Sequence, residues 1–515
     1  MDQIYPAACD VLVVGGGING AGIARDLAGR GLAVLLAEQH DLASHTSSAS
    51  TKLIHGGLRY LEYYEFSLVR KALAEREVLL KSAPHIMRPL RFVMPHDPSM
   101  RPVWMVRAGL FLYDHLARRE ILPGSTTVDL RAHVAGVPLK PQFRRAFVYS
   151  DGWVDDARLV LLCAVDAAAR GATVLTRTAC ERAERRADGW HATLRGADGR
   201  AHAVRSRALV NATGPWAASF LRDQAGIAGG KALRLVKGSH IVVPRLFDHD
   251  HAYIFQNPDQ RIIFAIPYEG DYTLIGTTDV EHHGAAGDAH ITPAEVDYLC
   301  NQGSRYFERP VLPAHVVWTY AGVRPLLDEE PGGSASAATR DYLLDFDRAA
   351  GAPLLSVWGG KITTFRKLAE EAADLLVRAL GGRPAWTAGA TLPGGDLGGR
   401  VGAAQRPDLD IQRFDAALAR AHPELPAALR QRWARSYGAR VNLILDAGPL
   451  GDEVAPGLHA AELRYLHEHE WARSADDVLW RRSKLGLHYT QAEREAVAHW
   501  WRAHFPLEQA AATSG

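Results

Sequence analysis

Three glycines near the start of the chain have the spacing of a dinucleotide site. Gly15, Gly17 and Gly20 form a G-x-G-x-x-G pattern between an apolar strand pattern, 10–14, and a helical pattern, 18–30. In such a turn the first glycine permits the bend, the second lets amides approach a pyrophosphate, and the third lets helix and strand pack closely. The helix N-terminus adds partial positive charge. The pattern therefore predicts a dinucleotide-binding turn.

A carboxylate follows at the distance that a ribose requires. Glu38 comes after a second predicted strand, 33–37, and lies 18 residues beyond Gly20. A carboxylate there accepts hydrogen bonds from an adenosine ribose and disfavours a 2′-phosphate. The alternative is a glycine-rich turn without a ligand, but the βαβ context and the acid both favour a nucleotide.

Two further glycine turns favour FAD over NAD. Residues 208–214 (ALVNATG) and 355–363 (LSVWGGKIT) are buried strand patterns that end in small turns. The second turn could direct amide dipoles at the flavin and stabilise the negative charge of the reduced ring. Three separated turns at one site suit a long cofactor. Asn211 begins a glycosylation sequon, which we interpret as accidental at a buried strand end.

The elements that must position these turns are those of a soluble globular chain of several domains. The chain has 515 residues, 47% hydrophobic and 23% charged, which suits two to four domains. Its net charge of +1 argues against nucleic-acid binding by bulk charge. The four cysteines lie far apart, so we expect no metal site and no disulfide framework. We find neither a secretory signal nor a run able to span a bilayer, which predicts a cytoplasmic or membrane-surface protein.

The pattern along the chain predicts an α/β FAD-binding domain, an antiparallel-sheet substrate domain and a C-terminal helical domain. Short β-branched runs between 147 and 345 indicate the antiparallel sheet, and 67–81 is a helix expected to expose Glu and Lys/Arg. We assign 1–385 to the oxidoreductase region, 386–400 to a Gly-rich linker and 401–515 to the helical domain. Within 1–385 the FAD-binding segments are about 1–90, 150–230 and 350–385, and the substrate-domain segments are about 91–149 and 231–349.

A set of motifs spread over nearly the whole chain carries a specific resemblance. They are GGGINGAGIARD (15–26), TSSASTKLIHGGLRYLE (46–62), WVDDARL (153–159), NATGPW (211–216), KGSH (237–240), IGTTD (275–279), GVRPL (322–326) and GGKITT (359–364). Together they resemble the FAD-dependent aerobic glycerol-3-phosphate dehydrogenases. The resemblance implies a glycine-oxidase-like fold, and oxidation of sn-glycerol 3-phosphate to dihydroxyacetone phosphate with electrons passing through FAD to a membrane quinone. It also implies peripheral attachment to the cytoplasmic side of the inner or plasma membrane, and a homodimer.

The resemblance also implies which residues hold FAD. Besides the glycines and Glu38 above, they lie in the 46–62 motif and at the ends of the two later strands. The set is Gly15, Gly17, Asn19, Gly20, Glu38, Thr46, Ser47, Ser48, Lys52, Leu53, His55, Gly56, Ala212, Thr213, Gly214, Gly359, Gly360, Lys361 and Thr363.

A phosphate-bearing substrate needs cations. Arg324 lies at a strand end, and its guanidinium can hold a phosphate bidentately. The alternative is an ion pair with the nearby Asp328 or Glu329. We expect Arg59 and Arg340 to be supporting cations and Tyr60 a phenolic donor, although Arg340 could equally be a surface residue beside Asp341.

The substrate's hydroxyl proton needs a base. His240 follows Lys-Gly-Ser at a predicted strand start, and histidine has the pKa of a general base. The alternative is an ordinary hydrogen-bonded core histidine. Lys361 would lie near the flavin, where it could polarise the substrate oxygen or stabilise the reduced ring. His55 belongs to the same flavin-facing region and could simply pack there.

Residues 101–119 combine large apolar side chains with arginines. We expect Trp104, Met105, Ala108, Phe111, Leu112 and Tyr113 to form one apolar face, flanked by Arg101, Arg107, Arg118 and Arg119. Such a helix suits a lipid interface. The alternative is an amphipathic helix docked on its own protein, and delivery of electrons to a quinone favours the bilayer surface.

Three other functions remain open at this point. An oxidase of the same fold would pass electrons to oxygen and produce hydrogen peroxide. An amine or amino-acid oxidoreductase would need a cation for a carboxylate, but no cluster of three. A non-catalytic flavin-binding sensor or scaffold would use 410–515 as an interaction surface, and the retained Arg59, Arg324 and Lys361 count against it.

Overall fold

The computed structural model describes residues 4–97, 101–228, 230–259, 261–327, 341–349 and 351–506. The helices of these residues are α1 (Ile18–Gly29), α2 (Phe66–Ser82), α3 (Val103–His115), α4 (Asp156–Ala169), α5 (Ala217–Ser219), α6 (Pro293–Tyr306), α7 (Phe365–Leu380), α8 (Gly398–Val401), α9 (Pro407–Ala421), α10 (Ala427–Tyr437), α11 (Val441–Leu445), α12 (Ala460–His469) and α13 (Gln491–His504).

The strands of the same residues are β1 (Ala8–Val14), β2 (Val34–Ala37), β3 (Leu53–Ile54), β4 (Met87–Pro95), β5 (Thr126–Asp129), β6 (Arg145–Val154), β7 (Thr173–Leu175), β8 (Ala179–Arg186), β9 (Gly189–Arg195), β10 (Ala201–Asn211), β11 (Leu233–Pro244), β12 (Ala252–Gln256), β13 (Ile262–Tyr268), β14 (Tyr272–Gly276), β15 (Val280–Glu281), β16 (Trp318–Leu327), β17 (Tyr342–Asp347), β18 (Leu354–Gly359), β19 (Glu453–Ala455) and β20 (Leu458–His459).

The first sheet contains the predicted βαβ unit. Its order is β17-β18-β10-β1-β2-β7, with β9 beside β10 and β8 beside β9. The strands β18, β10, β1, β2 and β7 run parallel, so their carboxyl ends meet at one edge. Both faces are covered, and the apolar side chains of α1, α4 and α7 join those of the strands in one core. The strands predicted at 10–14, 33–37 and 354–358 are confirmed.

The second sheet is the predicted antiparallel one. Its order is β15-β11-β14-β13-β12-β4-β6-β3, with β16 beside β11 and β5 beside β6. Its pairings are antiparallel except that β12 runs parallel to β4. Two strands differ from the predicted segments: β3 pairs with β6 in this sheet, whereas β17 pairs with β18 in the first. The chain therefore crosses between the sheets more often than a division into segments implies.

Helix α2 buries charges that its sequence pattern places outside. Glu75, Arg76 and Glu77 are all buried. The Nη1 atom of Arg76 donates to Asp151 at 2.6 Å, and Arg366 donates to both oxygens of Glu75 at 2.6 and 2.7 Å. These partners lie far away in the chain, so helical periodicity gives no sign that the charges are paired and inside.

The C-terminal residues form their own helical core. Helices α9 to α13 pack their apolar faces around Phe414, Trp433 and Leu463. Residues 386–400, predicted as a linker, contain the buried side chains of Thr387, Leu392 and Leu397, so this irregular segment packs against the body of the protein.

Candidate active site

One cleft is lined by residues of both sheets. The first sheet contributes the carboxyl ends of β1, β2, β10 and β18, and the second contributes side chains from β11 and β16. In parallel α/β sheets, ligands bind at this edge because the loops and helix N-termini converge there. Gly15, Gly214 and Gly359 all line the cleft, so the three predicted glycine turns lie at one site.

The first turn requires glycines because a side chain would collide with neighbouring backbone atoms. Gly15 has φ +109°, and a Cβ atom on it would lie 2.5 Å from the carbonyl oxygen of Ala212. A Cβ atom on Gly20 would lie 1.8 Å from the carbonyl oxygen of Gly15. Gly20 does not line the cleft itself; it allows helix α1 to begin directly against the turn, as the third glycine of the pattern should.

Glu38 lies at the end of β2 and lines the cleft, as predicted. Its Oε2 atom accepts from the Gly16 amide at 2.6 Å and its Oε1 atom from the His40 amide at 2.7 Å. Burial raises the pKa of Glu38, against the lowering effect of these two amides. Each oxygen has a further lone pair, so the carboxylate can also accept from a ribose.

The loop after β2 connects the two sheets. The Ser47 Oγ atom accepts from the Ile18 amide at 3.0 Å and so satisfies a free donor at the N-terminus of α1. Thr46 donates to the Val323 carbonyl of β16 at 2.7 Å. A Cβ atom on Gly322 would lie 2.6 Å from that of Ala49, so the loop presses closely on β16.

The third glycine turn is bound to the first. The Asn19 side-chain amide donates to the Gly359 carbonyl at 3.2 Å, while its Oδ1 atom is buried without a hydrogen-bond partner among the described residues. The His55 amide donates to Thr363 Oγ1 at 3.1 Å. Both turns are therefore fixed relative to each other, with an acceptor oxygen left for a ligand.

Two predicted cations lie at the cleft with defined partners. The Arg324 Nη2 atom donates to Asp279 at 2.5 Å and to the Thr278 carbonyl at 3.1 Å. Asp279 is 45 residues away from Arg324 in the chain. Asp328 and Glu329, which the sequence offers as alternative ion-pair partners, lie outside the described residues. The Lys361 ammonium lies 3.6 Å from the centre of the Tyr60 ring, a cation–π contact.

His240 lines the cleft from β11 and is buried. Its Nε2 atom lies 2.9 Å from Thr51 Oγ1, and its ring stacks on Tyr320 at 4.6 Å between centroids. A Cβ atom on Gly276 would lie 2.1 Å from the imidazole, so this glycine leaves room for the ring. Burial, and then the charges of Lys52 and Arg324, lower the pKa of His240 well below its ordinary value.

Several predicted residues do not line the cleft. Lys52 is buried in an ion pair with Asp156 at 2.7 Å, at the start of α4. Gly56 packs under Leu73, and Arg59 donates to the Tyr63 hydroxyl at 3.4 Å. The predicted residues that the structure describes outside the cleft lining are Gly20, Ser48, Lys52, Gly56 and Arg59. Arg340 lies outside the described residues.

The other predicted residues do line it. They are Gly15, Gly17, Asn19, Glu38, Thr46, Ser47, Leu53, His55, Tyr60, Ala212, Thr213, Gly214, His240, Arg324, Gly359, Gly360, Lys361 and Thr363. Among the polar and aromatic lining residues that the prediction missed are Thr51, Thr178, Trp216 and Thr277. Thr51, Trp216 and Thr277 belong to the motifs 46–62, 211–216 and 275–279, and their polar or aromatic side chains within these motifs could have indicated them. Thr178 belongs to no such motif.

The cleft fits FAD. One end of the cleft contains the glycine turns, the N-terminus of α1 and the Glu38 carboxylate, which can accept hydrogen bonds from a ribose. The cations Arg324 and Lys361 lie near the third glycine turn, at Gly359 and Gly360. The buried Oδ1 atom of Asn19 supplies an acceptor that the described residues leave open.

Comparisons with known proteins agree with this site. Residues 10–366 match the family described as FAD dependent oxidoreductase, and residues 385–502 match the C-terminal domain of alpha-glycerophosphate oxidase. A glycerol-3-phosphate dehydrogenase of Pseudomonas aeruginosa is 51% identical, over 96% of each chain. A D-erythritol 1-phosphate dehydrogenase of Brucella abortus is 49% identical, over 96% of this chain and 98% of its own.

Solved structures show the same fold. The glycerol-3-phosphate dehydrogenase of Bacillus halodurans, solved with FAD, is 28% identical with a TM-score of 0.77, and the match covers 97% of this chain and 91% of that one. Glycine oxidase of Geobacillus kaustophilus, 20% identical, shares the fold at a TM-score of 0.56 over 72% of this chain and 95% of its own.

The fold and the cleft thus define an FAD-dependent oxidoreductase with a glycine-oxidase-like architecture and a helical C-terminal domain. Within that class, the chain belongs to the family of FAD-dependent glycerol-3-phosphate dehydrogenases, as its motifs predicted.

Proposed function

We propose that this protein oxidises sn-glycerol 3-phosphate to dihydroxyacetone phosphate and delivers the electrons to a membrane quinone. The observation that carries the proposal is the meeting of Arg324, Lys361, Tyr60 and His240 in the cleft that fits FAD. Bound FAD supplies the hydride acceptor for C2 of the substrate. The relatives whose names refer to polyol phosphates support this substrate class.

The phosphate group would bind to Arg324. Asp279 holds this guanidinium through Nη2, and a guanidinium has five N–H donors in all. The ion pair therefore fixes the direction of the fork before substrate arrives, and a planar guanidinium suits a phosphate because it can hold two of its oxygens at once. In this proposal Arg59 assists from outside the cleft lining, and Arg340, which lies outside the described residues, is a further supporting cation.

The base would be His240. Its lowered pKa keeps the imidazole neutral near pH 7, so it can accept the proton of the C2 hydroxyl. Lys361 is the less suitable base, because the face of Tyr60 favours the charged ammonium over the neutral amine. Lys361 would instead place a positive charge beside the reacting oxygen or the reduced ring.

Helix α3 would attach the protein peripherally to the cytoplasmic face of the membrane. Trp104 is 69% exposed and Phe111 59% exposed, and Met105 and Leu112 beside them are exposed too. Tyr113 was wrongly placed on this face: it is fully buried, and its hydroxyl donates to Asp151 at 2.8 Å. No helix of the described residues has both the length and the apolarity to cross a bilayer. The proposal also includes a homodimer of this chain.

Anaerobic stopped-flow absorbance of the holoenzyme tests the reaction. We expect sn-glycerol 3-phosphate to bleach the flavin, glycerol without phosphate to leave it oxidised, and a quinone analogue to restore the absorbance faster than oxygen does. Faster reduction by D-erythritol 1-phosphate would reassign the substrate, as the relative of that name makes reasonable. Rapid reoxidation by oxygen with peroxide formation would identify an oxidase instead.

Replacing Arg324 with Ala should lower kcat/KM about ten- to hundredfold, because one charge-assisted contact to a dianion is worth about 1.5–3 kcal/mol. Arg324→Lys should recover only part of this, since an ammonium lacks the fork. The exposed Arg309→Ala variant is the matched control, with steady-state rates and FAD content measured for each. Wild-type kcat/KM in Arg324→Ala would refute the phosphate contact.

Replacing His240 with Asn should slow single-turnover flavin reduction about 10²- to 10⁴-fold, the usual contribution of a positioned base, while FAD content stays intact. In the wild type, the reduction rate at saturating substrate should not fall between about pH 8 and 6.5, because the lowered pKa of His240 keeps it neutral there. Residual activity of the variant should climb with pH as hydroxide replaces the base.

The exposed His499→Asn variant serves as the control for this experiment. An unchanged reduction rate and pH profile in His240→Asn would transfer the role of base to Lys361.

Replacing Trp104 and Phe111 with Ser and Arg107 with Glu should release the protein from anionic liposomes, since both apolar area and positive charge are lost. Dye-linked activity should survive, because these residues do not line the cleft. The matched control replaces the exposed Val134 and Val137 with Ser on another surface. Unchanged sedimentation with liposomes would mean that α3 is not the attachment site.

A further inference from the structure

Three consecutive residues of the C-terminal domain contact supports of the active site. Trp480, Arg481 and Arg482 lie in one helical turn, Asp477–Arg482, and point to different parts of the oxidoreductase region. The two arginines bind the loop that follows β2, and the tryptophan stacks on β16. None of the three lines the cleft itself.

The arginines converge on Asp41. The Nη1 and Nη2 atoms of Arg482 donate to the two carboxylate oxygens at 2.5 and 2.8 Å, and the Nε atom of Arg481 donates at 2.6 Å. The side chains of Arg482 and Asp41 are 1% and 2% exposed. Burial alone would raise the pKa of Asp41, but the arginines hold it at about 2, so the carboxylate is charged whenever the protein is folded near neutral pH.

Asp41 lies near the start of the loop that forms one wall of the cleft. The Asp41 carbonyl accepts a hydrogen bond from the Ser44 amide at 3.2 Å. The Ala43 amide donates to the carbonyl of Gly16, within the first glycine turn, at 3.2 Å. Residues 43–47 line the cleft, and Ser47 accepts from the first turn of α1. A shift of Asp41 therefore moves the segment that completes the pyrophosphate end of the site.

Trp480 reaches His240 through two rings. Trp480 stacks on Trp318 with centroids 4.9 Å apart and planes 16° apart, and Trp318 lies 5.2 Å from Tyr320. Tyr320 stacks on His240 at 4.6 Å, and its hydroxyl donates to the Ser50 carbonyl at 2.9 Å, beside Thr51. The His240 imidazole therefore packs against a row of three aromatic rings, and the outermost ring, that of Trp480, belongs to the C-terminal domain.

We propose that residues Trp480 to Arg482 make the C-terminal domain a positioning element of the active site. It would act through two sets of contacts: the loop arm, in which Arg481 and Arg482 hold the FAD-binding loop at Asp41, and the histidine arm, in which Trp480 holds His240 through Trp318 and Tyr320. The loop arm depends only on FAD binding, whereas the histidine arm rests on the proposed function, in which His240 takes the substrate's proton.

The loop arm is tested by titrating FAD into the apoprotein of Asp41→Asn. Glu462→Gln is the matched control, because Glu462 is also a buried carboxylate held by an arginine, Arg432 at 2.6 Å, but lies inside the C-terminal domain. Coupling through a packed element should raise the Kd for FAD roughly 2- to 30-fold in Asp41→Asn and leave it unchanged in the control.

Arg482→Lys, which keeps the charge and loses the bidentate geometry, should fall between wild type and Asp41→Asn, and it replaces Asp41→Asn if that variant does not fold. Thermal unfolding of each apoprotein shows how much of any change is general destabilisation. Equal Kd values for FAD in the loop variants and in Glu462→Gln would overturn the loop arm.

The histidine arm is tested with Trp480→Leu and the conservative Trp480→Phe. Flavin reduction at saturating glycerol 3-phosphate should slow about three- to tenfold in Trp480→Leu, with FAD affinity unchanged, and recover in Trp480→Phe, which keeps a stacking ring. A wild-type rate and pH profile in Trp480→Leu would overturn this arm. If wild-type flavin is not reduced by the substrate, the proposed function fails, whereas the FAD titrations still decide the loop arm.

Discussion

The close approach of three backbone segments at Gly15, Gly20 and Ala212 governs the architecture of this protein. A single Cβ atom on Gly20 would lie 1.8 Å from a carbonyl oxygen, and one on Gly15 would lie 2.5 Å from another. Because these positions carry no side chain, β1, α1 and the end of β10 meet without a gap. The N-terminus of α1, the carboxylate of Glu38 and the second glycine turn therefore lie together at one edge of the sheet.

The loop between β2 and β3 carries this arrangement into the rest of the molecule. Near its start, Asp41 is held by arginines of the C-terminal domain, and the loop then continues along the cleft to Thr46, which is bonded to β16. At Thr51 it reaches the imidazole of His240 on β11. One continuous segment thus touches the cofactor turn, the antiparallel sheet and the helical domain, so the active site depends on all three parts.

Charges near the cleft are held in pairs. Arg324 is bonded to Asp279 and Lys52 to Asp156, and Lys361 lies over the ring of Tyr60. A buried charge is tolerated only when it is paired and hydrogen-bonded, and a paired guanidinium has a fixed direction. These cations are therefore oriented in advance. Burial first, and then the charges of Lys52 and Arg324, lower the pKa of His240 and keep its imidazole neutral, so the same pairs that stabilise the fold contribute to the acid–base state of the site.

The sequence by itself determined the features that are local in the chain. The G-x-G-x-x-G turn, Glu38 and the parallel strands follow from spacing within short windows, because backbone geometry and strand burial act over few residues. The family membership was indicated by the resemblance of short motifs to those of a known family. Only the tertiary structure decided which charges pair. Asp279 lies 45 residues from Arg324 and Asp156 lies 104 residues from Lys52, and no periodicity encodes such contacts. The burial of Tyr113 and of the charges on α2 was likewise decided by distant partners, Asp151 above all. The ion pair between Asp41 and Arg482 spans 441 residues, so the contact of the helical domain with the cofactor loop exists only once the chain has folded.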